Sequence, residues 1–294
     1  MAPDSSGNSI KPAGIDHFIL RCVALAGLTC YVTAFSGIVT YYPLVIILGL
    51  VGYSCLPVFA LLCAEAYRHH SKPTAFLVRN LIIAVLCAVP YRFAFYNQKN
   101  LSDIRSYFSM ALTGFFCFGA LMFYDRMKTK NQRIFCVAFL CAISFLIGME
   151  FAPYMPILVY AIHIYRKEQD GKDLNAAAGN DKDRLEAMSR RKYLFSNYTF
   201  TKISFFVVTF SVVIFAVSLL FQKFDPGYRT HFSDEITRNY CMPGMLLSLP
   251  FIRTYNGREG LNNTFTKVVF RLYYLLLLVL AVMIKTFFLF DYGV

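Results

Sequence analysis

Glu65, Arg68 and His69 stand at the end of an apolar run, LPVFALLCAEAYRHH, at positions i, i+3 and i+4. On a helix that spacing puts all three on one face. A carboxylate within a turn of a membrane boundary is costly without a partner, and Arg68 is its natural partner in sequence. Two chemistries fit. One is an interfacial ion pair with snorkelling basic side chains. The other is a polar cluster that binds an anionic headgroup or a cofactor phosphate, or that holds a histidine as general base. Asp16-His17 is a second acid–histidine pair. Adjacent residues on a helix do not face each other, so Asp16 equally suits an anion favoured by the helix dipole.

Three further stretches carry polar groups among apolar ones. AVPYRFAF, residues 88–95, sets Arg92 beside Pro90, whose ring frees a backbone carbonyl. Arg79 lies earlier in the same apolar segment, and an arginine within a span is a functional candidate by default. Glu150 stands alone between two apolar runs, where plain solvent exposure at a turn accounts for it. LPFIRTYNGREG, residues 249–260, has Asn256-Gly257 as a tight-turn signal with Arg253 and Arg258 on either side. It lacks the GxxxxGK[ST] pattern of a phosphate-binding loop. Five scattered histidines give no metal-ligand spacing. Nine cysteines, all in apolar segments and none in a CxxC pair, read as small buried residues.

The elements that position these groups follow from composition. Of 294 residues, 57% are hydrophobic and 16% charged, with a mean hydropathy of +0.50. A soluble domain carries about 25% charge. Lipid must therefore cover part of the surface, and the expected fold is an all-α polytopic transmembrane helix bundle. Apolar segments at 18–35, 43–65, 75–95, 106–124, 134–149, 151–165, 203–221, 239–251 and 268–290 predict about nine spans. They form a first group over 18–165 and a second over 203–294. A polar segment, 1–17, precedes them, and a charged, mobile cytoplasmic loop at 166–202 divides them, with a short helix over 181–192. Lys and Arg concentrate on the loops that share a side with the N-terminus, which predicts N-in, C-out. The net charge of +12 then reflects basic loops facing anionic lipid rather than nucleic acid. In a bacterium the location would be the plasma (inner) membrane.

Taken in order, GYSCLPVFALLCAEAYRHH (52–70), AVPYRFAF, EFAPYMPILVYAIHIYRKE (150–168) and LPFIRTYNGREG resemble the TraX family of conjugal-transfer membrane proteins, which are linked to N-terminal acetylation of pilin. The resemblance implies transfer of an acetyl group from acetyl-CoA to an amine or hydroxyl of a peptide or small-molecule acceptor. It implies His69 as base with Glu65 orienting it, His17 with Asp16 as the second choice, and CoA phosphates met by Arg68, Arg126, Lys128, Lys130 or Arg258. Tyr31 and Val32 stand where the family carries Asp-His, Leu277 where it carries a late histidine, and Tyr53 where it carries an arginine. These departures leave a second reading open, a non-catalytic membrane protein that holds a lipid or a partner.

Overall fold

The computed structural model describes residues 14–69, 73–95, 108–151, 153–176, 194–224, 238–261 and 263–289. Helix α1 (His17–Phe35) starts where Asp16 turns extended and its carboxylate accepts the Ile19 N–H at 2.8 Å. Helix α2 (Tyr42–Tyr53) opens with Pro43 in its first turn and stops at Ser54; α3 (Cys55–His69) follows at once. The segment expected at 43–65 is therefore one broken 28-residue span, Tyr42–His69. A β-carbon at Gly52 would come within 2.7 Å of the Tyr31 backbone, so only glycine lets α1 and α2 approach there.

Helix α4 (Pro73–Phe95) runs on through Pro90, which cannot donate to the Leu86 carbonyl. Its end is tied by Lys285, whose ammonium donates to the Ala94 carbonyl at 2.8 Å. Helix α5 spans Met110–Arg126. Helix α6 (Lys130–Ile147) begins on a capping box, Thr129 with Gln132, and ends on left-handed Gly148. Helix α7 spans Tyr154–Ala176 and α8 spans Asn197–Phe224. Both ends of the expected 166–202 loop are thus helical. Glu168 pairs with Lys202 at 3.1 Å, and Gln169 bonds both Leu194 and Ser196. Residues 177–193, with the helix expected over 181–192, lie outside the described residues. A 3-10 stretch, Met242–Ser248, leads into the short α9 (Leu249–Thr254), and α10 (Thr264–Ile284) ends in a π turn, Lys285–Leu289.

Helix α1 packs on α2, α3 and α10; α3 on α5 and α7; α4 on α5 and α10; α8 on α7 and the 3-10 stretch. Fully buried Leu20, Leu28, Leu56, Leu61, Leu121 and Leu158 fill the centre. The outer helix faces are just as apolar. Val78, Ile82, Val85 and Val89 form one exposed stripe of α4, and Phe135, Phe139 and Leu146 are exposed on α6. Such continuous apolar surface is what lipid covers.

Among the described residues, six helices are long and apolar enough to cross a membrane. The architecture is that of an all-α, multi-pass membrane bundle. Of the nine expected spans, three do not qualify. Helix α5 has 17 residues, α7 becomes polar after His163, and 242–254 is two short helices end to end. Thirty ångströms of hydrocarbon need about 20 predominantly apolar helical residues in a row, which none of these three has.

Candidate functional site

The starts of α1, α4 and α10 and the end of α3 share one end of the bundle with the turn that follows α9. Three backbone hydrogen bonds tie the start of α1 to that turn. Ile15 N donates to Thr254 O at 2.9 Å, Asn256 N to Ile15 O at 3.0 Å, and His17 N to Arg258 O at 2.7 Å. The turn itself needs left-handed residues, which Gly257 and Gly260 supply at φ 77° and 64°. The Asp16 carboxylate lies against Gly260, 2.5 Å from where a β-carbon would stand.

This lacing brings two histidines together. His17 Nδ1 and the Tyr255 hydroxyl are 3.0 Å apart. His69 Nε2 lies 3.3 Å from Glu65 Oε2, and since a carboxylate only accepts, Nε2 is the donor; in the neutral imidazole the lone pair is then on Nδ1. The Glu65 side chain is 3% exposed and that of His69 70% exposed. The other Glu65 oxygen faces Arg166 of α7 at 3.9 Å. Burial pushes the Tyr255 phenol well above its usual range, and the Glu65 carboxylate adds to the shift. Tyr255 therefore stays protonated.

A cavity of about 530 Å³ opens between these groups, bounded by α1, α3, α4, α5 and α10. His17, Glu65, His69 and Tyr255 line it, as do Arg21, Arg79, Lys267 and Arg271. Its size is that of a small-molecule site. The sequence pointed to Arg79 but missed Arg21, Lys267 and Arg271. The signal was present: Lys267, Arg271 and Tyr274 recur at i, i+4 and i+7 on an otherwise apolar helix, one face of α10.

The other predicted groups sit elsewhere. Arg68 does not partner Glu65; it points to α7 and pairs with Asp170. Asp16 caps α1 rather than orienting His17. Arg126, Lys128, Lys130 and Arg258 are exposed and, with Arg68, do not line the cavity. Near Arg68, Asp125 accepts from Tyr67 at 2.9 Å and Lys167 at 3.0 Å, with His163 Nε2 at 3.4 Å.

A second polar layer closes the far end of the bundle. Glu150, expected at a solvent-exposed turn, is buried. Tyr31 and Tyr91 donate to its two carboxylate oxygens, and Arg238 lies 3.5 Å from it, over the rings of Phe35 and Phe95. The turn folds inward because Thr113 of α5 donates to the Glu150 carbonyl at 2.7 Å and Phe108 accepts its N–H. Arg92, one residue beyond Tyr91, is buried on the same end of α4. Tyr31, where the resemblance would place a catalytic aspartate, serves this layer instead of the cavity.

Compared with known proteins, the chain matches no family model, no curated sequence and no solved structure. Among the described residues no three His, Cys, Asp or Glu side chains converge as a metal site.

Proposed function

We propose that the protein is a membrane-embedded acyltransferase, a divergent TraX-type protein, that moves an acetyl group from acetyl-CoA to an amine or hydroxyl. One observation carries the reading: an imidazole held by a buried carboxylate, His69 on Glu65, opens into the same cavity as four cationic side chains. That is a base beside a site for developing negative charge. The histidine end would face the cytoplasm, as the basic loops suggest, in a plasma membrane with N-in orientation. Exposed Arg126, Lys128 and Arg258 would meet the nucleotide part of CoA by charge-assisted hydrogen bonds.

In the transfer step the acceptor's N or O attacks the thioester carbonyl carbon, and its proton passes to His69 Nδ1. The carbonyl oxygen becomes an oxyanion beside Arg21, Arg79 and Arg271. The C–S bond then breaks, the imidazolium returns its proton to the leaving thiolate, and the products are the acylated acceptor and free CoA. His17 with Tyr255 is the second candidate base.

The test is heat-stabilisation of the purified protein. A ligand at 100 times its Kd stabilises by about 2.7 kcal/mol, several degrees in Tm. Acetyl-CoA and CoA should both raise Tm, and His69→Ala should lower acetyl transfer by about 10²–10⁴ with ligand-induced stabilisation retained. Stabilisation by neither ligand points to the non-catalytic, lipid- or partner-holding reading. Full transfer by His69→Ala moves the base to His17.

A further inference from the structure

The cavity also speaks to the length of the acyl group, an inference that rests on the acyltransferase reading. Its lining changes from charged to less polar along one direction on four of the helices that build it, α1, α3, α4 and α10. On α1, Arg21 gives way to Leu25 and Leu28; on α4, Arg79 gives way to Ile83. On α10, Lys267 and Arg271 are followed by Tyr274. Helix α3 runs the opposite way and its order is reversed, Phe59 and Leu62 before Glu65 and His69.

The charged groups therefore share one level, with Phe76 and Phe270 among them, and the lining beyond that level carries no charge. At 1.5 Å per residue, Leu28 lies about 10 Å beyond Arg21 along α1. The histidines stand at the charged level, so a thioester placed for attack there would point its acyl group into the apolar half. A two-carbon acetyl group leaves most of that half unfilled. Its far wall is α5, where Ala111 and Gly114 present little side chain. A β-carbon added at Gly114 meets nothing within 4 Å, so the backbone there borders open space. On α1 the lining reaches Leu28, one helical turn before Tyr31 of the Glu150 layer.

We propose that the preferred acyl donor carries a medium-length or longer alkyl chain, seated between α1, α4 and α5, while its thioester stays beside His69. The bonds made and broken are those of the acetyl transfer; only the group attached to the carbonyl carbon changes. Alkyl burial without a compensating polar contact is favourable by area alone.

The experiment is a chain-length series on the purified full-length protein, with CoA, acetyl-CoA, octanoyl-CoA and palmitoyl-CoA, read by heat-stabilisation titrations. Decyl phosphate is the arm that tests a lipid phosphate as the source of the same head-and-tail chemistry. Affinity should rise roughly four-fold per added methylene until the pocket is full. Gly114→Leu should cut the ratio of octanoyl-CoA to acetyl-CoA affinity at least tenfold. Leucine in place of an interior helical glycine raises helix propensity and enters open space, so the variant should fold; Ala111→Leu is the second ruler. Equal affinity for acetyl-CoA and octanoyl-CoA, or an unchanged ratio in both variants, overturns the chain-length proposal and leaves the acyltransferase reading standing. Binding of no CoA species overturns both, and decyl phosphate binding alone assigns the cavity to a lipid phosphate.

Discussion

At the scale of single residues, the two buried carboxylates Glu65 and Glu150 have opposite surroundings. Glu65 faces a histidine that reaches solvent, and an arginine at 3.9 Å. Glu150 receives two phenolic O–H donors and an arginine, all in a packed aromatic shell. The first carboxylate has an exposed partner that can exchange protons; the second is a structural tie. Glu150→Ala should therefore remove the acceptor of two phenols and the carboxylate beside Arg238, at a cost of about 3–5 kcal/mol, seen as a large fall in Tm. Glu150→Gln keeps an acceptor for one phenol and should cost less. If both variants melt with the natural protein, the layer contributes nothing to stability.

At the scale of elements, close approach is set by small residues, and identical substitutions should have opposite effects. Gly52→Ala would push a methyl to within 2.7 Å of the Tyr31 backbone and separate α1 from α2, costing about 1–3 kcal/mol. Gly119→Ala, on α5, meets only Leu77 at 3.7 Å and should gain up to about 1 kcal/mol from helix propensity. Thermal melts of the two variants should bracket the natural protein. The positions of these helices were legible in the sequence: the apolar runs at 18–35 and 75–95 lie within α1 and α4, because lipid and core both demand apolar side chains. What the helices turn toward one another was not. Glu65 and His69 share a face through local spacing, which a sequence displays. Arg166 on Glu65, Tyr255 on His17 and Asp170 on Arg68 are contacts between distant helices, and hydropathy carries no trace of them. Hydropathy likewise cannot separate a short apolar helix that spans from one that packs inside, which is why nine segments became six spans.

At the scale of the whole molecule, a polar cavity at one end and a buried polar layer at the other sit inside a sleeve of apolar helix faces. Val85 lies in the middle of α4 on that sleeve and is 62% exposed. Val85→Arg should cost about 2.5–3.5 kcal/mol of membrane insertion, measurable as a lower inserted fraction, with no contact inside the bundle disturbed. Unchanged insertion would mean that this face of α4 meets protein or water instead of lipid. The lacing of Ile15 and His17 to residues 254–258 adds a matter of timing. His17 and its hydroxyl partner are 238 residues apart. At about 5–20 residues per second of synthesis, His17 waits roughly 12–48 s for Tyr255 to leave the ribosome. Glu65 and His69 meet as soon as α3 forms. The cavity is therefore assembled in two instalments, and its second histidine is fixed only when the last helices are made.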